Sequence, residues 1–147
     1  YRKDCRAFAS REPCELQGDL DGDGKLDRVF KMRAIKSKGG ATGIGVAWGD
    51  GRYSALGAGA KTPHVITEVW KDEKDETPRA EPLILDGIVT WRLLAAVKDG
   101  YSESGPGGRF RYAAPSVVGS GIYVSGGDAA ELLYWDGLRW RRLILGF

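Results

Sequence analysis

Three Asp-Gly pairs, each set between runs in which apolar and polar residues alternate, restrict this chain more than anything else in it. Asp50-Gly51 follows TGIGVAW, Asp86-Gly87 lies inside LILDGIVTWRLL, and Asp136-Gly137 lies inside LLYWDGLRWRRLIL. Both residues of an Asp-Gly pair tolerate the positive φ of a tight turn, so each pair predicts a β-hairpin. Glycine accounts for 22 of the 147 residues, about twice its usual share of ~7%. The glycines punctuate short β-branched and aromatic runs and form no low-complexity block, as expected of turns between many short strands.

The rest of the chain fits this pattern. RVFKMRAI alternates, which predicts a half-buried strand with Phe30, Met32 and Ala34 on the covered face and Lys31 and Arg33 in solvent. In the next run Ile44, Val46 and Trp48 share a face. TPHVITEVW is rich in β-branched residues and reads as a strand despite the Thr62-Pro63 pair that could open a helix. KDEKDETPRAEP is a solvated connection, and KDGYSESGPGGRF is a long loop. The fold class expected is all-β: antiparallel twisted sheets in a β-sandwich or an incomplete propeller-like arrangement. Residues 1–147 form one domain, with five tryptophans supplying much of its core.

Composition and motifs exclude several functions. A net charge of +2 with no basic run argues against nucleic acid. No apolar stretch approaches the roughly 18 residues of a membrane helix. The single histidine, His64, has no metal-binding companions, and no G-x-S-x-G elbow or phosphate-binding loop is present. The expectation is a protein that is not an enzyme. The chain begins at Tyr1, which is compatible with a removed leader and leaves room for a lipid anchor upstream.

One stretch carries metal chemistry. In GDLDGDGKLDRVF the carboxylates of Asp19, Asp21, Asp23 and Asp27 crowd together and repel one another unless a cation sits among them. Ca²⁺ takes six to eight oxygen ligands, and alternating carboxylates on a tightly wound loop can converge on one point. Gly24 permits the bend, Lys25 would add its backbone carbonyl, and Asp27 would close the site. The Glu that closes an EF-hand loop is missing, since Phe30 stands at that position. The pattern D-x-D-x-D-G-x-x-D resembles the calcium loops of FG-GAP and VCBS repeats, which likewise precede a strand. The role expected of it is structural.

A second motif lies in GSGIYVSGG, where Ser120-Gly121-Ile122-Tyr123 form S-G-x-Y. Followed by a strand and the C-terminal LLYWDGLRWRRLILG hairpin, it resembles the periplasmic inhibitors of invertebrate-type lysozyme. It is similar, too, to immunity proteins that protect bacteria from secreted peptidoglycan hydrolases, some of which carry a calcium loop. The resemblance covers Gly18–Phe30 and Gly119–Gly146. It implies a loop, Gly119, Ser120, Gly121, Ile122 and Tyr123, that projects into the hydrolase cleft, with the Ser120 and Tyr123 hydroxyls on the catalytic carboxylates. The partner implied is a lysozyme-like glycoside hydrolase, and the location implied is the periplasm. SESGPGG (Ser102–Gly108) is a second loop able to fill that role. The competing reading is a calcium-dependent module that binds carbohydrate or protein outside the cytoplasm.

Cys5 and Cys14 flank the irregular stretch RAFASREP near the N-terminus. Their spacing suits neither CxxC redox chemistry nor zinc. A Cys5–Cys14 disulfide within an N-terminal loop, residues 1–17, is expected, and with it an extracytoplasmic location.

Overall fold

The computed structural model describes residues 2–7, 13–35, 41–58, 65–69, 79–81, 85, 87–97, 100–102, 111–113, 117–126 and 129–146. Among the described residues thirteen strands follow one another: β1 (Arg2–Lys3), β2 (Glu15–Gly18), β3 (Asp27–Arg33), β4 (Thr42–Ala47), β5 (Tyr53–Gly57), β6 (Val65–Val69), β7 (Arg79–Glu81), β8 (Thr90–Val97), β9 (Gly100–Ser102), β10 (Arg111–Ala113), β11 (Gly121–Gly126), β12 (Ala129–Trp135) and β13 (Trp140–Gly146). The chain is all-β, and among the described residues there is no helix, hence none long and apolar enough to cross a membrane.

The strands make two sheets. In the first the order is β1-β3-β4-β5, with β2 pairing the same edge of β3 at its other end. In the second the order is β10-β9-β8-β11-β12-β13-β6-β7. A shared core joins them. Val29, Ile44, Val46, Trp48 and Leu56 come from or beside the first sheet, and Trp91, Ile122, Val124, Leu133 and Trp140 from the second. Two sheets on one core fit the all-β expectation, and each fully buried side chain of this size adds about 1.5–3 kcal/mol of hydrophobic stabilisation. The rings of Trp48, Trp135 and Trp140 pack pairwise, centroid to centroid, at 5.5, 5.7 and 5.8 Å. A second apolar cluster, Leu94, Tyr101, Leu132, Tyr134 and Leu143, is built on the larger sheet.

Two of the three Asp-Gly hairpins form. Ala47 pairs with Tyr53 around Asp50-Gly51, and Trp135 pairs with Trp140 around Asp136-Gly137. In both turns the glycine has positive φ, 94° and 98°. Of the third pair only Gly87 is described, since residues 82–84 and Asp86 lie outside the described residues, so that hairpin expectation falls outside them too. β7 and β8 lie in the same sheet with β11, β12, β13 and β6 between them. Gly87 lies against the end of β11, where Val89 donates to the Ser125 carbonyl at 2.8 Å.

Other expectations need correction. The second sheet is not wholly antiparallel, because β6 runs parallel to β13. The residues 1–17 are more than a loop: they hold β1 and all of β2 but Gly18, both strands pairing with β3. Arg79–Glu81 of the charged connection forms β7 against β6. The face of β3 that carries Lys31, expected in solvent, is covered as well, while Met32 on the other face is fully buried as expected. Val29 and Lys31 are fully buried, with the Lys31 ammonium 5.8 Å from the Trp91 ring centroid. Phe30 and Met32 take the opposite face, where Phe30 meets the Tyr53 ring at 6.1 Å and Tyr53 donates its hydroxyl to the Met32 sulfur at 3.5 Å. Alternation separates the two faces of a strand, but here both are covered, so polarity alone does not say which looks inward.

The Cys5–Cys14 disulfide is formed, with Cα atoms 4.8 Å apart. It ties β1 to β2 where both meet β3: the Asp4 amide donates to the Lys31 carbonyl, and the Lys31 amide to the Cys14 carbonyl. A bridge of this kind fits an oxidising, extracytoplasmic compartment.

Candidate functional site

The aspartate loop spans the gap between β2 and β3, and its own carboxylates wind it. Asp19 accepts from the Gly22 amide through Oδ1 (2.8 Å) and from the Gly24 amide through Oδ2 (2.9 Å). Asp21 Oδ1 accepts from Asp23 N at 3.3 Å, and Asp23 Oδ1 accepts from Lys25 N at 2.8 Å. Side chains of this type hydrogen-bond nearby backbone amides in turns, which is why the sequence winds here. Leu20 is fully buried in the shared core and anchors the loop.

Asp27 differs from the others. It is fully buried. Its Oδ2 accepts from the Leu20 amide at 2.8 Å, and its Oδ1 accepts from the Gly49 amide, beyond β4, at 2.7 Å. One carboxylate thus ties the start of the loop to the β4–β5 turn.

The carboxylates fall into two groups. Oxygens of Asp19, Asp21 and Asp27 lie within 4.8 Å of one another, and so do oxygens of Asp21, Asp23 and Asp50. The first group is close enough for one ion to meet oxygens at the 2.3–2.6 Å typical of calcium. All the donors are hard oxygens, suited to Ca²⁺ rather than to a thiophilic metal. Of the residues expected at the site, Asp19, Asp21 and Asp27 are brought together. Asp23 belongs with the second group, and Lys25 is placed by the amide it gives to Asp23.

Sequence reasoning missed Asp50, because its Asp-Gly context is fully explained by the hairpin turn. Arg52 was missed with it. Its Nε lies 2.7 Å from Asp50 Oδ2 and its Nη2 lies 3.3 Å from Asp21 Oδ2. Burial, reinforced by the neighbouring Asp23 and Asp27, pushes the Asp21 carboxyl up to about 6, against the hydrogen bond from the Asp23 amide. Asp50 is held below the usual carboxylate range, first by the Arg52 amide and then by the Arg52 guanidinium, which outweigh its desolvation.

The S-G-x-Y segment packs directly on this loop. The Ser120 amide donates to the Asp19 carbonyl at 2.7 Å. Gly119 is buried so closely that a Cβ on it would sit 2.5 Å from the carbonyl oxygen of Asp19 and from the carbonyl carbon of Leu20. A Cβ on Gly22 would strike the Val118 carbonyl in the same contact. The expected projecting loop is not what forms. Gly121, Ile122 and Tyr123 open β11, which is paired on both sides, with Leu94, Leu93 and Arg92 of β8 and with Leu133 and Leu132 of β12. Gly121 and Ile122 are buried, while Ser120 and Tyr123 are half-buried. The Arg92 guanidinium stacks 4.3 Å from the Tyr123 ring centroid. In the alternative loop, Ser102 is fully buried and residues 103–108 lie outside the described residues, as does His64.

No family model, curated protein or solved structure matches this chain.

Proposed function

We propose that this chain is a calcium-stabilised, non-catalytic periplasmic inhibitor of a lysozyme-like peptidoglycan hydrolase, of the kind that serves as an immunity protein. The observation that carries this reading is the contact between its two motifs. The aspartate loop and the S-G-x-Y segment, far apart in sequence, are joined by the Ser120–Asp19 hydrogen bond and by the glycine packing around it.

In this reading one Ca²⁺ is held by Asp19, Asp21 and Asp27, and its role is to stiffen the loop on which residues 118–120 rest. The inhibitory groups are the Ser120 and Tyr123 hydroxyls, with Arg92 beside Tyr123. They act from a rigid strand end and need no protruding loop. Lysozyme-type sites pair a protonated and an ionised carboxyl in a concave cleft. Hydroxyl donors and a guanidinium are chemically matched to such a pair. Three tryptophans give the competing carbohydrate-binding reading no support. Trp48, Trp91 and Trp140 are buried, so among the described residues they offer no exposed stacking platform for a sugar.

The test is titration of the protein against a lysozyme-type hydrolase encoded beside its gene, followed by cell-wall clearing. Stoichiometric inhibition supports the proposal. Undiminished clearing at an excess of the protein overturns it, and chelator-sensitive binding to glycans would favour the module reading.

A further inference from the structure

We propose that Arg52 is the resident counter-ion of the aspartate loop and sets its affinity for a divalent cation by competing with it for Asp21. The inference rests on the calcium reading of that loop and adds to it a residue that the D-x-D-x-D-G pattern does not contain.

The argument begins with charge. Asp21 belongs to both acidic groups, so its carboxylate is the one most crowded by others. Its side chain is only 8% exposed, and the Arg52 guanidinium reaches it across 31 residues of sequence. Arg52 does not depend on Asp21 for its position. Its Nε is held more tightly by Asp50, at 2.7 Å, and its amide donates to Asp50 Oδ1 at 3.0 Å. The guanidinium carbon lies 5.2 Å from the Trp48 ring centroid. The Trp48 amide in turn donates to the Arg52 carbonyl, closing the turn. The contact with Asp21, at 3.3 Å, is the longer and more expendable of its two ion pairs.

A divalent ion entering among Asp19, Asp21 and Asp27 changes this balance. It brings two positive charges close to a guanidinium that already partners the shared carboxylate, and like charges repel. Cation affinity in oxygen sites is tuned by net ligand charge, and the monovalent guanidinium lowers it here. Binding therefore involves exchange. Asp21 Oδ2 passes from Arg52 to the ion, and Arg52 remains on Asp50 and Trp48. Removing the guanidinium charge should tighten calcium binding on the order of tenfold.

The experiment is calorimetric titration of calcium chloride into the parent chain, Arg52→Gln and Arg52→Lys, with unfolding curves in chelator to show that each variant is folded. The expected result is tighter binding by Arg52→Gln and near-parental binding by Arg52→Lys, which keeps the charge. Binding by Arg52→Gln alone, with none by the parent, would support the proposal still more strongly. A parent that binds calcium with the same affinity as Arg52→Gln overturns the role of Arg52 and leaves the calcium site standing. No binding by any of the three overturns the calcium reading and this inference with it.

Discussion

Ser120 and Asp19 are joined backbone to backbone, the Ser120 amide donating to the Asp19 carbonyl at 2.7 Å. This bond makes residues 118–120 a continuation of the aspartate loop. A change in either should therefore be felt by the other, despite their separation in sequence.

Gly119→Ala tests the coupling. A methyl group there meets the Asp19 and Leu20 carbonyls at 2.5 Å, and backbone cannot yield as a flexible side chain does. The expected cost is about 1–3 kcal/mol, the usual range for forced overpacking. Denaturant unfolding with and without calcium is the measurement. The variant should lose stability and part of its calcium response together, and an undiminished response would mean that the two segments are independent.

Asp21 and Asp27 should behave differently when mutated. Calcium at a hundredfold excess over its Kd stabilises a single-site protein by about 2.7 kcal/mol, and Asp21→Ala should abolish that gain. Asp27→Asn should be destabilising even in chelator, by about 1–3 kcal/mol, because an amide NH₂ then faces the Leu20 or Gly49 N–H that the carboxylate now accepts. Melting temperatures of the two variants in chelator and in calcium separate these roles.

Acid should weaken the β12–β13 turn. Burial opposes ionisation of Asp136, but the Arg141 guanidinium and the Arg139 and Leu138 amides overcome it and hold the carboxyl below its usual range. A carboxyl whose folded pKa is depressed stabilises the protein above its unfolded value, about 3.9, and that stabilisation is lost as pH falls through the folded value. Asp136→Asn should thus be less stable than the parent near pH 7, and the gap should close below about pH 4. A gap independent of pH would show that the turn does not rely on the charge.

Opening the Cys5–Cys14 bridge should cost roughly 2.5–3 kcal/mol, the chain-entropy value for so short a loop. The loss should be concentrated at the edge of β3 that carries β1 and β2. Hydrogen exchange on Cys5→Ser/Cys14→Ser reads this directly through the Asp4 and Lys31 amides, whose bonds flank the bridge.

For the proposed inhibition, Tyr123→Ala should weaken binding to the hydrolase by about 2 kcal/mol, near thirtyfold. Ser120→Ala should weaken it by about 1 kcal/mol. Tyr123→Phe serves as the control, since it keeps the ring under Arg92 and removes only the hydroxyl. If Tyr123→Ala inhibits like the parent, the contact surface is elsewhere.

Much of this protein could be read from local sequence. Alternation marked β4 and β8, two Asp-Gly pairs closed real hairpins, and spaced aspartates wound a loop by bonding amides a few residues away. Each depends on neighbours in the chain, so residue order suffices to determine it. Tertiary structure decided the rest. It turned Lys31 inward, placed β6 parallel to β13, and built Gly121–Tyr123 into a sheet where a free loop was expected. It also brought Asp50 and Arg52 to the aspartates and laid Gly119 on Asp19. These outcomes depend on which sheet faces cover one another and which strand edges remain open, and both are settled only when the apolar surfaces of the whole chain are buried together.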